Sequence, residues 1–334
     1  MSKIISVISG DGIGPEIMKA TTRVLDALDC GLEYEYVDAG LGALEKHGDL
    51  LPAPTLESIR RNTVALKGPL TTPIGMGFRS INVTLREIFD LYANVRPVVS
   101  MPGTKMHYEN VDIITVRENT EGAYLAADAQ LSDDGNTAES KMVITRKGSE
   151  RVTRYAFELA RRAGRSKVTL VHKANILKTV SGLFLDVARD VAKAYPDIAC
   201  EEMIVDATCM KLVMHPQQFD VIVTTNLFGD IISDLCAGLV GGLGLAPGAN
   251  IGSDAAIFEA VHGSAPDIAG KKIANPCALL LTSGQMLSHL GMVDRSERLH
   301  AAITATIAAA DRTTPDLGGS GNTETFTDAI IERI

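Results

Sequence analysis

Five cysteines are the whole thiol complement of this 334-residue chain, and Cys30, Cys200, Cys209, Cys236 and Cys277 form no CxxC pair. That spacing offers neither a zinc site nor a disulfide framework and suits a reducing compartment, so all five read as structural thiols. Long apolar runs are missing as well: none approaches the roughly 18 to 20 residues that span a bilayer. The opening "MSKIISVISG" passes straight into strand-like sequence without the pattern of a cleavable signal, so a cytoplasmic home and no membrane partner are expected. Positive charge is in deficit, with 32 Lys and Arg against 41 Asp and Glu for a net charge of −9. Nucleic acid demands a broad cationic field, so it is excluded as a partner, and any anion site must be a local concentration of positive charge.

What is present is apolar sequence in short pieces. A hydrophobic content of 46% over this length supports a large core and two lobes, because single cores stop growing near roughly 250 to 300 residues. The runs "IISVIS", "VDIITV", "KVTLVH", "EMIVDA" and "FDVIVTT" read as strands, several of them separated by segments of helical period, which is α/β grammar. In "PEIMKATTRVLDAL", Pro15 suits a first turn and Ile17, Ala20, Thr21, Val24 and Leu28 make one buried stripe. In "SERVTRYAFELARRAG", Ser149 is the expected N-cap and Gly164 the stop. Residues 123 to 148 carry the turn "SDDGN" between strand-like arms, a hairpin able to reach a partner chain. The second half of "GLVGGLGLAPGANIG" reads as loop.

Four stretches carry chemistry. "ISGDGIGPEI" has glycines between a strand and a helix, but Gly10, Gly12 and Gly14 miss the dinucleotide fingerprint spacing, so it reads as a tight turn and not a Rossmann site. In "GFRSINVTLREIFDLYANVRP", Ser80 can cap a helix that carries Asn82 and Arg86 on one face, with Arg96 beyond it. Arg117 ends a predicted strand, so three guanidinium groups can surround one anion. Against that, a lone arginine on a helix is equally at home in solvent or paired with Glu87 and Asp90. "TTNLFGDIISDL" sets Asp230 and Asp234 four apart at a helix start, with Ile231, Ile232 and Leu235 expected to face the core. Helix-start acids can be mere dipole partners; with Asp206 from the end of "EMIVDA" they would suit a hard cation such as Mg2+ or Mn2+. Lys173 and Tyr124 are single residues that sequence alone does not promote.

Taken in order along nearly the whole chain, from "GDGIGPE" through "DLYANVRP", "VRENTEGAY", "HKANILK" and "TTNLFGDIISDL" to "TPDLGG", these segments resemble the β-decarboxylating dehydrogenases that act on isocitrate, homoisocitrate, 3-isopropylmalate or tartrate. The resemblance implies an α/β, two-domain isocitrate/isopropylmalate dehydrogenase-type fold with mixed sheets flanked by helices. It implies a large cofactor-binding domain from 1–92 and 241–334, and a small dimerisation domain over 93–240 whose hairpin arm, about 123–148, clasps a partner. "TTPIGMGFRSINVTLR" looks like the isocitrate version: Ser80 and Asn82 would meet the distal carboxylate while Arg86, Arg96 and Arg117 hold the others. An isopropyl group there would leave hydroxyl and amide unpaired, a discrimination of several kcal/mol.

By the same resemblance, Asp230 and Asp234 of one subunit and Asp206 of its neighbour would hold Mg2+ or Mn2+, Lys173 would take the substrate hydroxyl proton, and Tyr124 would protonate the decarboxylated product. NAD would lie against Ile13, Thr72, Asn82, Glu259, His262, Gly263, Ser264, Ala265, Asp267, Ile268, Asn275 and Asp316. Asp267 and Ile268 stand where NADP-using relatives carry Lys and Tyr, and a carboxylate repels a 2′-phosphate, so NAD is expected although Lys271 and Lys272 lie close by. The expected enzyme is a homodimer with shared active sites, or a tetramer of such dimers, that decarboxylates isocitrate oxidatively to 2-oxoglutarate. Homoisocitrate, 3-isopropylmalate and tartrate are the alternative substrates, and a non-catalytic regulatory subunit is the alternative of a different kind.

Overall fold

The computed structural model describes residues 3–73, 79–104, 106 and 108–334. The stretch 74–78, which carries Gly77 and part of the isocitrate-like segment, lies outside them. The chain begins β1 Lys3–Ile8, α1 Gly14–Ala27, β2 Leu32–Tyr36, α2 Leu41–His47, α3 Ala53–Asn62, β3 Val64–Lys67 and α4 Ile81–Ile88. It continues β4 Ala93–Val99, β5 Asp112–Glu118, β6 Gly122–Leu131, β7 Ala138–Val143, α5 Arg146–Arg162, β8 Lys167–His172, α6 Val180–Ala192, β9 Ala199–Ile204 and α7 Val205–Met214. It ends β10 Val221–Thr224, α8 Asn226–Leu239, β11 Pro247–Ile251, β12 Ala256–Ala260, α9 Cys277–His289, α10 Val293–Ala309 and α11 Thr323–Ile331. Among the described residues no helix is long and apolar enough to cross a membrane.

One 10-stranded sheet runs β2-β1-β3-β12-β11-β4-β5-β10-β8-β9. Its two wings are parallel, and β11 and β4 join them through antiparallel pairs on either side. Strands within 3–67 and 247–260 make one wing, and strands within 93–224 make the other. Parallel strands covered on both faces read as continuous apolar runs, and Val64–Lys67 and Val221–Thr224 are buried at every position, as is the antiparallel Pro247–Ile251. Helix α1 buries the anticipated stripe of Ile17, Ala20, Thr21 and Val24, with Leu28 buried just past its end. Strands β6 and β7 form a separate antiparallel ribbon, the hairpin arm read from "SDDGN". All five cysteines are free thiols; Cys30, Cys236 and Cys277 are buried, Cys209 is partly so and Cys200 is exposed.

Four local expectations are corrected. Thr145, not Ser149, caps α5, because its hydroxyl accepts the Gly148 N–H at 3.0 Å; Ser149 lies buried in the first turn and donates back to the Thr145 carbonyl at 2.8 Å. Gly164, at φ 64°, does follow the helix as its stop. The second half of the glycine-rich stretch is no loop: Pro247–Ile251 is β11, and Gly248 lets it approach β12, where a Cβ would stand 3.0 Å from the Glu259 carbonyl oxygen. Ile231 is 54% exposed while Ile232 is fully buried, so the core stripe of α8 is narrower than its composition suggests. Strand β9 stops at Ile204, which leaves Asp206 in the first turn of α7 and not on a strand end.

Candidate active site

The site lies where the two wings meet. Ser80 caps α4, its hydroxyl accepting from Val83 N at 3.5 Å, and this starts the helix that carries Asn82 and Arg86. Both residues line a cavity of about 140 Å³ together with Lys67, Asn94, Arg96, Glu259, His262 and Gly263. Within it the buried Asn82 Oδ1, Arg86 Nε and His262 Nε2 have no hydrogen-bond partner among the described residues. Unpaired buried polar atoms are costly, so three of them around one cavity mark a place shaped for a polar ligand.

Glu87 and Asp90, the acids that follow Arg86 along the chain, do not neutralise the arginines of the site. Glu87 is held by Arg79 (Nη1 to Oε2, 2.5 Å), and Asp90 by Arg151 at 2.6 Å. Among the described residues Arg86 makes no ion pair. Arg96, on β4, donates from Nη1 to Ser233 Oγ at 2.7 Å and to Asp234 Oδ1 at 3.0 Å, and its Nη2 stands 3.5 Å from Asp230. Arg117, at the end of β5, is 1% exposed; Nε and Nη2 both reach Asn226 Oδ1, at 2.9 and 2.7 Å, and Nη1 pairs with Asp230. Gly229 of α8 makes this approach possible, since a Cβ there would stand 2.6 Å from the Arg117 side chain.

Tyr124, from β6, donates its hydroxyl to the other Asp230 oxygen and lies under the Arg117 guanidinium, 4.8 Å from ring centroid to Cζ. Burial, then the neighbouring Arg86, pushes Arg117 down to about 10 even though Asp230 opposes the shift. Burial works against the charge on Asp230, yet Arg117, the Tyr124 hydroxyl, Arg96 and Arg86 together hold its carboxyl below the usual range. Burial and the bond to Asp230 raise the Tyr124 phenol, so it stays protonated at neutral pH. Neither Asp230 nor Asp234 sits in the first turn of α8, so helix-dipole stabilisation does not account for them.

Lys173 and Asp206 stand apart from this cluster and pair with each other, Nζ to Oδ1 at 2.6 Å. Among the described residues no group of three His, Cys, Asp or Glu is placed to hold a metal ion. One chain therefore presents two acids together and the third elsewhere.

The residues expected around a dinucleotide fall into two sets. Asn82, Glu259, His262 and Gly263 line the cavity. Ile13, Thr72, Ser264, Ala265, Asp267, Ile268, Asn275 and Asp316 lie beyond it; Thr72 Oγ1 accepts from Ile81 N at 3.3 Å, and Asn275 donates to Asp316 at 2.8 Å. Ala265 has φ 39°, Asp267 is exposed, and Lys272 turns away to Glu324 at 3.3 Å. The "GDGIG" stretch is a clamp between these parts. Ile13 N–H donates to the Ser264 carbonyl at 2.9 Å, and Gly12, at φ 59°, leaves no room there for a side chain. Asp11 accepts from Thr71 N at 2.8 Å, Leu41 N at 3.2 Å and Gly42 N at 3.3 Å, and Thr71 shares a 2.7 Å hydroxyl bond with Ser264.

Sequence reasoning missed several of these groups. Asp11 was hidden inside a motif judged only by its glycines. Lys67 ends the apolar run "VALK" and pairs at 2.6 Å with Glu259, deep in the sheet. Burial opposes the charge on Glu259, but Lys67 and then Arg86 outweigh it and hold the carboxyl down to about 2. Asn94 lies two residues from Arg96, hence on the same face of β4, a period-two signal that was available in "ANVRP".

A family model described as isocitrate/isopropylmalate dehydrogenase matches residues 4–332. Catalytic subunit 5 of a mitochondrial NAD isocitrate dehydrogenase from Arabidopsis thaliana is 51% identical over 330 residues, covering 98% of this chain and 88% of that protein. A 3-isopropylmalate dehydrogenase from Archaeoglobus fulgidus is also 51% identical over 330 residues, covering 99% of this chain and 98% of that one. The crystal structure of an isocitrate dehydrogenase from Methylococcus capsulatus superposes with a TM-score of 0.95 at 54% identity, covering 100% of this chain and 99% of that one. The plant relative's name places that protein in mitochondria, which lends no support to the cytoplasmic home expected from the sequence. Matched over almost its whole length by family model, sequence and structure alike, the chain belongs to the isocitrate/isopropylmalate dehydrogenase family.

Proposed function

We propose that the protein oxidises and decarboxylates isocitrate to 2-oxoglutarate and CO2, with NAD as hydride acceptor and Mg2+ or Mn2+ bound. The observation that carries this reading is that Arg86 and Arg96 line one cavity and that Arg96 joins, through Asp230 and Asp234, a cluster holding Arg117 and Tyr124. Three guanidinium groups suit a polycarboxylate, and paired aspartates suit a hard cation. Equal identity to an isocitrate and an isopropylmalate enzyme leaves the choice of substrate to the residues. The unpaired Asn82 amide oxygen and the Ser80 hydroxyl at the head of α4 favour a polar distal group over an isopropyl group.

A divalent ion held by Asp230 and Asp234, with Asp206 of the partner subunit, would supply Lewis-acid polarisation at the substrate hydroxyl and the ketone it becomes. Its oxygen-only donors fit Mg2+ or Mn2+. NAD would meet the cavity at the end lined by Asn82, Glu259 and His262, where Asn82 Oδ1 and His262 Nε2 have no partner among the described residues, and exposed Asp267 would repel the extra phosphate of NADP. The arginines would orient the substrate, and Lys173 of the partner subunit would accept its hydroxyl proton; bound NAD would supply the acceptor for hydride. Loss of the β-carboxylate follows, and Tyr124, protonated at neutral pH, returns a proton to the carbon left behind.

The shared site is supported by an apolar surface next to the Lys173–Asp206 pair. Ile176, Met210, Val213, Met214 and Ile231 are each about half exposed or more, and a second copy would cover them. We assign residues 1–92 with 241–334 to a cofactor lobe and 93–240 to a dimerisation lobe, meeting at the β11–β4 pair, with the β6–β7 ribbon as a clasp. The Tyr124, Lys173, Asp206, Asp230 and Asp234 set is complete, which disfavours a purely regulatory subunit. The test compares kcat/KM for isocitrate, homoisocitrate, 3-isopropylmalate and tartrate, with NAD and NADP, in Mg2+ and in EDTA. Isocitrate with NAD and Mg2+ is expected to lead; a lead for 3-isopropylmalate refutes the role given to Ser80 and Asn82.

A further inference from the structure

A row of buried polar side chains crosses four adjacent strands on the site face of the sheet. Arg96 Nε donates to Asn94 Oδ1 at 2.8 Å, Asn94 Nδ2 donates to Asn250 Oδ1 at 2.9 Å, and Asn250 Nδ2 donates to Glu259 Oε1 at 2.7 Å. Lys67 closes the row on the other Glu259 oxygen at 2.6 Å. All five residues are buried, and the strand register places Asn94 opposite Asn250 and Glu259 opposite Lys67.

The direction of each bond is forced. A guanidinium can only donate and an ionised carboxylate can only accept, so both amides between them must point the same way. Reversing either one sets oxygen against oxygen or N–H against N–H, which is expensive in a buried site. The orientation of Arg96 is thus tied, through two amides of fixed sense, to a carboxylate at the far end of the same cavity.

We propose that Asn94 and Asn250 are positioning residues that couple the guanidinium gripping the substrate acid to the Lys67–Glu259 pair at the cofactor end. The proposal rests on the reading of the cleft given above. Neither asparagine need touch the reacting atoms; each fixes the angle of its neighbour. A ligand that shifts Glu259 therefore changes how well Arg96 meets a carboxylate, and by linkage the reverse holds.

Asn94→Asp breaks one joint with little change of volume. The aspartate still accepts from Arg96 but cannot donate onward, and whichever way Asn250 then turns, one of its contacts becomes oxygen to oxygen. The measurement is calorimetric titration of isocitrate in Mg2+, with and without saturating NADH, which cannot accept hydride and so permits no turnover. In the unaltered protein NADH is expected to change the isocitrate Kd by about fivefold or more, the lower end of ordinary site-to-site coupling. In N94D that ratio falls to about one, while circular dichroism keeps the native spectrum. Should N94D lose the native spectrum, Asn250→Ala carries the same test. A ratio unchanged in the variant, or a ratio near one in the unaltered protein, overturns the proposal. If isocitrate gives no binding heat at all, the substrate reading has failed instead, and the titration is repeated with whichever acid the kcat/KM comparison ranks first.

Discussion

Asp230→Asn separates two jobs that one carboxylate performs. The first is electrostatic balance: Arg117 is 1% exposed and its Nη1 pairs with Asp230, while Arg96 stands 3.5 Å away on the same oxygen. Removing one partner of a fully buried ion pair costs about 3 to 5 kcal/mol. The Asp230 side chain is 35% exposed and the asparagine oxygen can still accept, so the loss is discounted to about 2 kcal/mol in metal-free protein. The second job is the proposed hold on a divalent ion. An ion at about a hundred times its Kd stabilises the unaltered protein by about 2.7 kcal/mol, and a variant that no longer binds it gains nothing. The stability gap between the two proteins should therefore roughly double from EDTA to saturating Mg2+, on the order of 2 rising toward 5 kcal/mol. Differential scanning calorimetry under both conditions reads it without any turnover. If the variant is stabilised by Mg2+ as strongly as the unaltered protein, Asp230 does not hold the ion. If it is no less stable in EDTA, the argument from buried arginine is wrong.

The Lys67–Glu259 pair sets a second expectation, on pH. A carboxyl lowered from 4.5 to about 2 contributes roughly 3 kcal/mol, present in full above pH 4.5 and lost as pH falls toward 2. The stability advantage over Glu259→Gln should accordingly shrink between pH 4.5 and 3 in thermal melts; an advantage constant over that range contradicts it. Asp11→Ala removes the acceptor for three backbone N–H groups and loosens Thr71 against Ser264, so NADH affinity should weaken about tenfold, equivalent to about 1.4 kcal/mol. Unchanged NADH fluorescence titration would show that this turn does not position the cofactor loop.

Local periodicity makes much of the fold legible in the sequence. The α1 stripe, the β6–β7 ribbon and the apolar strands were legible because helix and strand periods are properties of neighbouring residues. Thr145 displaced Ser149 as the α5 cap because either residue could cap by type, and only the chain path decides which turn comes first. Strand β11 was hidden because "PGAN" has turn composition, and it is extended here by pairing with β4 and β12 on both sides. Ile231 is exposed since the path of α8 over the sheet, not its apolar content, selects the buried face. The arginines and acids were visible as charges with a spacing, but their convergence was not. Which arginine faces the cleft depends on Glu87 and Asp90 being taken by Arg79 and Arg151, and the second of those arginines lies on another helix.

The energetics of the sheet centre favour a functional origin for its polar row. Central strands are ordinarily apolar on both faces, and the same strands meet that rule on their other side. Val95, Pro97, Ala249 and Ile251 face a second cavity of about 1110 Å³ between the sheet and α5, α9 and α10. On the site face, Asn94, Arg96, Asn250, Glu259 and Lys67 replace that pattern with three charges and two amides, all nearly removed from water. Well-packed apolar side chains of similar volume would hold these strands as firmly or more so, because desolvation of buried ions consumes most of their mutual attraction. Stability alone therefore does not select this row. What it provides, and apolar packing cannot, is direction: every donor and acceptor has one permitted orientation, and the last link in the chain is the guanidinium aimed at the cleft.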